Sequence, residues 1–162
     1  MGGTFSVDVL DAIAAWPGAV WLTRSGTAYL FVNAAHILGI GLLVGAILPL
    51  DLRLAGLFRS FPLQVLAPFL SRAAACGLVL ALLTGTWLFS VKPAEYVGNT
   101  AFLIKMGLLA FALLNVAVQH GSRHYRHALA GGPVHGVVRG VALVSAASWV
   151  AVLVAGRWIG FL

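Results

Sequence analysis

The residue most able to do chemistry in this sequence is a histidine inside a long apolar segment. The segment TAYLFVNAAHILGIGLLVGAILPL covers residues 27–50, carries no formal charge and contains one imidazole, that of His36. About 20 apolar residues in a helix cross a hydrocarbon core roughly 30 Å thick. An ionisable side chain at that depth is costly and by default indicates a functional site. We therefore predict that His36 binds a ligand; the alternative is an imidazole that only hydrogen-bonds a neighbouring helix.

Three further residues are expected to share the surroundings of His36. Asn33 precedes it by one helical turn and Gly39 follows it by one turn, so a helix places all three on one face. Lys105 lies about four residues inside another apolar segment, at a depth from which its flexible side chain can reach His36. A polar stripe bordered by a glycine suits a flat ligand that approaches the backbone closely. The alternative for Lys105 is a side chain that extends to the lipid headgroups.

Two arginines near the ends of apolar segments are candidates for holding negative groups on such a ligand. Arg24 precedes the first segment, and Arg157 stands in AGRWIG near the end of the last one. Guanidinium groups bind carboxylates through paired hydrogen bonds. The alternative for Arg157 is an interface residue beside Trp158 whose charge extends to the headgroups.

A second group of histidines has the spacing H-x3-H-x2-H and comprises His120, His124 and His127. On a continuous helix these side chains would share one face and could bind a transition metal. Gly121 and the surrounding arginines favour an ordinary solvated loop instead. His120 also lies roughly 16 Å from His36 along the membrane normal, so the two are not expected to bind one iron atom.

Four apolar segments predict an all-α, integral membrane four-helix bundle in a single domain that covers residues 1–162. We expect the spans at about residues 27–50, 73–89, 101–119 and 138–159. Pro62 and Pro68 are expected to interrupt the approach to the second span. Residues 5–16 place Asp8 and Asp11 opposite an apolar face, which predicts a short amphipathic helix at the membrane interface that ends at Pro17.

The composition excludes several classes of protein. Of the 162 residues, 61% are hydrophobic and 9% are charged, which is typical of lipid-facing surface rather than a soluble core. The formal charge of +6 comes mostly from basic residues at span ends, which predicts contact with the bilayer and not with nucleic acid. The lone Cys76 excludes an intramolecular disulfide. Asp51, at the end of the first span, is expected to pair with Arg53 or another loop arginine.

The basic residues also predict an orientation. Six arginines belong to the first and third connections between spans, and three basic residues lie on the other side. The side richer in Lys and Arg normally faces the cytoplasm, so both termini are expected on the outer side. The first group is Arg53, Arg59, Arg72, Arg123, Arg126 and Arg139, and the second is Arg24, Lys92 and Arg157.

The stretches NAAHILGIGLLVGAILPLDLRLAGL and NTAFLIKMGLLAFALLNVAVQH resemble an uncharacterised bacterial family of four-span inner-membrane proteins over nearly the whole chain. More distantly, the early histidine and third-span lysine are similar to those of the copper-resistance D-type membrane domain and the HemJ-type protoporphyrinogen oxidase. The HemJ resemblance implies a b-type haem with His36 as its axial ligand and Lys105 as a functional partner. No second histidine is expected at that depth, which leaves the sixth ligand open.

Three functional hypotheses follow. The first is a b-haem, cytochrome-like protein of the bacterial inner membrane that transfers electrons between a quinone and an outer-side partner, with Arg24 or Arg157 holding the propionates. The second is a non-catalytic structural or assembly subunit of a larger complex or oligomer, packed through Gly41/Gly45 and Ala147/Ala151/Ala155. The third, implied by the copper-resistance resemblance, is copper handling or transport, in which Met106 would assist His36.

Overall fold

The computed structural model describes the backbone of residues 2–161 and the side chains of residues 8–161. All regular structure in these ranges is helical, and four helices, α3, α4, α6 and α8, are long and apolar enough to cross a membrane. The predicted all-α fold with four spans is therefore confirmed. The helices are α1 (Gly2–Ala15), α2 (Pro17–Arg24), α3 (Gly26–Ala55), α4 (Leu63–Phe89), α5 (Pro93–Gly98), α6 (Thr100–Gly121), α7 (Arg123–Leu129) and α8 (Gly136–Trp158), followed by a 3-10 turn (Ile159–Phe161).

Two spans begin at side-chain caps that the sequence provides. The side chain of Ser25 accepts a hydrogen bond from the Ala28 backbone N–H before α3, and Asn99 accepts one from the Phe102 N–H before α6. Such caps satisfy backbone N–H groups that have no partner within the helix. At the other end of α3, Gly56 adopts a φ of 114°, the left-handed conformation that commonly ends helices.

The prolines do not limit the spans as predicted. Helix α3 continues through Pro49 to Ala55, and α4 begins at Leu63, ten residues before the expected start, with Pro68 inside it. Pro68 is the sixth residue of α4 and Pro49 lies in the last third of α3, so each proline removes one backbone hydrogen bond of its helix without ending it. Pro17 ends α1, as expected, but it also begins α2, a helix that was not predicted.

The four spans pack in the order α4, α3, α8, α6, and neighbours in this order contact one another extensively. Helix α6 makes at most sparse contact with α3 and α4. His36 lies beside Thr84 and Leu43 beside Gly77, so α3 runs antiparallel to α4. Gln119 lies beside Val138 and Lys105 beside Gly156, so α6 runs antiparallel to α8. We call the end at which α3 begins the His36 end, and the end at which α3 finishes the Arg53 end.

Two hydrogen bonds donated by indole groups hold α1 and α2 against the His36 end of the bundle. Trp16 Nε1 donates to Ser90 Oγ at 2.9 Å, and Trp87 Nε1 donates to the Gly18 carbonyl at 3.0 Å. Buried indoles need such partners for their N–H groups. In α1, Asp8 and Asp11 are exposed whereas Leu10 is half-buried, which agrees with the predicted amphipathic pattern; the side chains of residues 5–7 lie outside the described range.

Candidate functional site

His36 on α3 is hydrogen-bonded to Thr84 on α4, with 3.0 Å between His36 Nδ1 and Thr84 Oγ1. The same hydroxyl lies 2.6 Å from the Leu80 carbonyl oxygen, to which it donates. A hydroxyl group has one proton, so Thr84 Oγ1 must accept from His36, and the Nδ1 atom must carry a proton. In the neutral ring this network assigns the free lone pair to Nε2. The bonded nitrogen is thus satisfied within the bundle, and the Ala81 backbone also lies near the ring. Nε2 has no hydrogen-bond partner within residues 8–161.

The imidazole ring of His36 lies directly over Gly85 of α4. A Cβ atom added at Gly85 would be 2.9 Å from His36 Cε1, closer than side chains normally approach. Glycine at this position therefore makes room for the ring next to the α4 backbone. Thr84 and Gly85 together hold the ring by one hydrogen bond and one close contact.

Gly39, predicted to border the ligand, lies at the crossing of α3 and α4. A Cβ at Gly39 would be 2.8 Å from the Ala81 nitrogen, and one at Gly77 would be 2.5 Å from the Leu43 nitrogen. The two glycines let the helix backbones touch, as small residues do in membrane helix pairs. This crossing brings Thr84 opposite His36, so Gly39 acts here as a packing residue and its Cα faces α4.

Lys105 on α6 lies near enough to His36 for its charge to act on the imidazole. Its aliphatic stem packs on Gly156 of α8, where an added Cβ would be 3.7 Å from Lys105 Cδ and Cε. Among the side chains of residues 8–161, the one ion pair joins Lys92 to Glu95. Lys105 is therefore a half-buried cation without a carboxylate partner in that range.

The other predicted site residues are exposed at the His36 end. Asn33 lies on the outer surface of α3, one turn before His36. Arg24 is in the last turn of α2. The Arg157 guanidinium lies 5.0 Å from the centre of the Phe161 ring, a cation–π contact. The structure brings His36, Thr84, Gly85 and Lys105 together, and leaves Asn33, Arg24 and Arg157 around them at the surface.

The three histidines of the H-x3-H-x2-H pattern do not share one helix face. Helix α6 ends at Gly121 and α7 begins at Arg123, so the expected continuous helix is absent in this segment. The His120 ring packs against Tyr125, whereas His124 contacts His135 with 4.8 Å between ring centres. In the described part of the chain, no three His, Cys, Asp or Glu side chains are grouped so as to hold a metal ion. The structure thus offers no metal cluster at His120.

Asp51 was expected to form an ion pair and instead points into the bundle. Its side chain is 4% exposed, and its Oδ2 atom has no hydrogen-bond partner. The predicted partner, Arg53, donates to the Phe61 carbonyl at 2.8 Å instead. The pairing is wrong because the helix continues past Asp51, which turns this residue toward α8 while Arg53 faces the surface.

Asp51 lines a small polar cavity that the sequence analysis did not identify. The cavity has a volume of about 10 Å³, enough for roughly one water molecule. Gln119 Oε1 and Ser145 Oγ are also buried there without hydrogen-bond partners. The signal in the sequence was the spacing of Asn115 and Gln119, one helical turn apart at the same depth as Asp51.

A family model described as a family of unknown function, DUF6644, matches residues 12–162. No curated protein and no solved structure matches the chain.

Proposed function

Because the chain belongs to DUF6644, a family of unknown function, we propose a function from the arrangement around His36 and not from any relative. The proposed function is that of a membrane-embedded, cytochrome-like protein that binds a b-type haem through His36. It would transfer electrons between a quinone and a partner on the outer side of a bacterial inner membrane, with both termini on that side. A distant relationship to the HemJ-type and copper-resistance D-type membrane proteins is part of this proposal.

The observation that carries the proposal is the assignment of the His36 lone pair to Nε2. Histidines that bind metals normally donate their other ring N–H to a fixed acceptor, which orients the ring and raises its basicity. The Thr84 hydroxyl provides that acceptor at 3.0 Å. Gly85 holds the ring edge against α4, so the orientation of the imidazole is set from two sides.

The residues around His36 fit a haem group in their charge as well. Lys105 supplies a cation whose charge reaches His36, and Arg24 and Arg157 are exposed at the same end, where they would hold the propionates. A bound haem would supply a reversible one-electron couple whose potential depends on its axial ligand and surroundings. Lys105 would favour the reduced state, since a nearby positive charge opposes the gain of positive charge on oxidation.

The direct test is the haem content of the protein purified in detergent after expression with added haem precursor. We expect about one b-type haem per chain and a red preparation. Apoprotein that stays colourless under these conditions, and that binds no haemin in titration, would overturn the proposal.

The alternative function is that of a non-catalytic subunit of a larger membrane complex. One observation favours it: Gly41 and Gly45 on α3 are exposed, and an added Cβ at either would meet no atom within 4 Å. A glycine pair at this spacing permits a helix of another chain to approach closely. Replacement of Gly41 and Gly45 by leucine would then remove a co-purifying partner and leave haem content unchanged.

A further inference from the structure

The Arg53 end of the bundle contains a cavity of about 260 Å³ between the α3–α4 connection and the start of α8. Three arginines line it, namely Arg53, Arg59 and Arg139, and the rest of the lining is apolar or glycine. No carboxylate lines the cavity, and none of these arginines forms an ion pair within residues 8–161. The cavity therefore concentrates positive charge without a negative group to balance it.

Backbone carbonyls hold two of these arginines in place. Arg53 Nε donates to the Phe61 carbonyl at 2.8 Å, and Arg59 Nε donates to the Gly56 carbonyl at 2.8 Å. Arg53 Nη2 also donates to the Arg59 carbonyl at 3.5 Å. The remaining terminal guanidinium N–H groups of both arginines are left for other acceptors. Because the side chains are already fixed, a ligand would lose little conformational entropy on binding them.

Arg139 completes the cavity from the first turn of α8, which begins at Gly136. The N-terminus of a helix carries partial positive charge and free backbone N–H groups, so it adds to the attraction for an anion. Guanidinium groups match the geometry of phosphate oxygens through paired hydrogen bonds. Three of them around one cavity suit a phosphate group better than a single carboxylate.

The surroundings of the cavity indicate what kind of molecule would carry the phosphate group. It opens where α3 ends and α8 begins, at the boundary of two spans. Leu57, Phe58 and Phe61, in the connection that forms one wall, are each at least 50% exposed. Apolar side chains next to a cationic cavity at this level would contact acyl chains while the arginines contact headgroups.

We propose that Arg53, Arg59 and Arg139 form a specific binding site for the phosphate group of an acidic phospholipid. The site lies at the opposite end of the spans from His36 and does not depend on the proposed haem. The bound phospholipid would contact both the α3–α4 connection and the start of α8, and so would hold the two together. Bound lipid should therefore raise the thermal stability of the protein.

The test is titration of delipidated, detergent-purified protein with phosphatidylglycerol, phosphatidylcholine or inorganic phosphate, followed by native mass spectrometry and thermal unfolding. The variant is Arg139→Gln, because Arg53 and Arg59 also hold the backbone and their loss would disturb the fold. The matched control is Arg126→Gln, an exposed arginine at the same end that does not line the cavity.

We expect one tightly retained phosphatidylglycerol per chain in the wild type and in Arg126→Gln, and an affinity roughly tenfold or more lower in Arg139→Gln. Phosphatidylcholine should bind much more weakly than phosphatidylglycerol. Equal phosphatidylglycerol affinity in the wild type and Arg139→Gln would overturn the site. If inorganic phosphate alone raised the thermal stability as much as phosphatidylglycerol does, the occupant of the cavity would be free phosphate and not a lipid.

Discussion

The hydroxyl group of Thr84 accepts the Nδ1 proton of His36 and donates its own proton to the Leu80 carbonyl, so it links α3 and α4 through one polar chain. This link satisfies one nitrogen of the imidazole and not the other. Within residues 8–161, Nε2 has no hydrogen-bond partner, which leaves it as the atom through which the proposed haem would bind.

Thr84→Val should destabilise the protein, because the nearly isosteric side chain leaves the His36 Nδ1–H without an acceptor inside a span. We expect a loss of about 1–3 kcal/mol in the free energy of unfolding and a lower melting temperature in detergent. Thr84→Ser keeps the hydroxyl and should restore most of that stability.

The matched control is Thr86→Val on the same helix. Thr86 is exposed and its hydroxyl bonds only to the Leu82 and Leu83 carbonyls of its own helix. Its replacement should change stability by less than about 0.5 kcal/mol. Equal effects of the two valine substitutions would show that Thr84 does not support His36.

Gly85→Ala should displace the imidazole ring, since the new Cβ would be 2.9 Å from His36 Cε1. Overpacking of this kind costs roughly 1–3 kcal/mol of stability. Gly107→Ala on α6 is the control, because its Cβ would meet no atom within 4 Å. At such an open helical site alanine should be neutral or stabilising by up to about 1 kcal/mol. Thermal unfolding of both variants checks the contrast, and a Gly85→Ala protein stabilised as much as Gly107→Ala would contradict the contact of the ring with Gly85.

Asp51→Asn should leave the protein as stable as the wild type or more so. An amide removes the negative charge from a buried position that lacks an ion-pair partner within residues 8–161, and it adds N–H donors to the cavity that Gln119 and Ser145 also line. We expect a gain of about 1 kcal/mol in chemical or thermal unfolding. Marked destabilisation by this substitution would mean that the wild-type carboxylate is bound by a group other than the described side chains.

Tyr125→Phe should make the protein less sensitive to alkaline pH. Burial raises the pKa of the Tyr125 phenol above its usual value of 10.0. A raised folded-state pKa contributes stability that is present below the unfolded pKa and is lost as the pH rises toward the folded pKa. Between about pH 9 and 11 the melting temperature should therefore fall more steeply in the wild type than in Tyr125→Phe.

The exposed Tyr29 supplies the control for this comparison. Tyr29→Phe measures the effect of removing a phenol that is not buried. Parallel profiles for the wild type and Tyr125→Phe would show that the Tyr125 phenol contributes nothing to the loss of stability at alkaline pH.

The spans were predictable from the sequence because a run of apolar residues has few alternatives to a membrane helix. Their ends were less predictable. Pro68 predicts an interruption, but α4 begins at Leu63 and continues through Pro68 with the loss of one backbone hydrogen bond. The direction of Asp51 followed from the continuation of α3 past Pro49, which the sequence pattern did not show.

His36 and Lys105 could be named from the sequence because each is a costly ionisable residue within an apolar segment. Their supporting residues could not. The contact of His36 with Thr84 joins positions 48 residues apart, and no motif connects them. The arginines around the 260 Å³ cavity were counted as orientation signals, and only the fold shows that three of them meet.

The central claim is tested most directly by the reduced-minus-oxidised absorption spectrum of the detergent-purified wild type, His36→Ala and His120→Ala. His120 is exposed and lies at the other end of the bundle, so it controls for the loss of an imidazole. We predict a Soret band and a reduced α-band in the wild type and in His120→Ala, and neither band in His36→Ala protein that elutes as a folded species. A wild type without haem absorbance, or a His36→Ala spectrum equal to that of the wild type, would contradict the account.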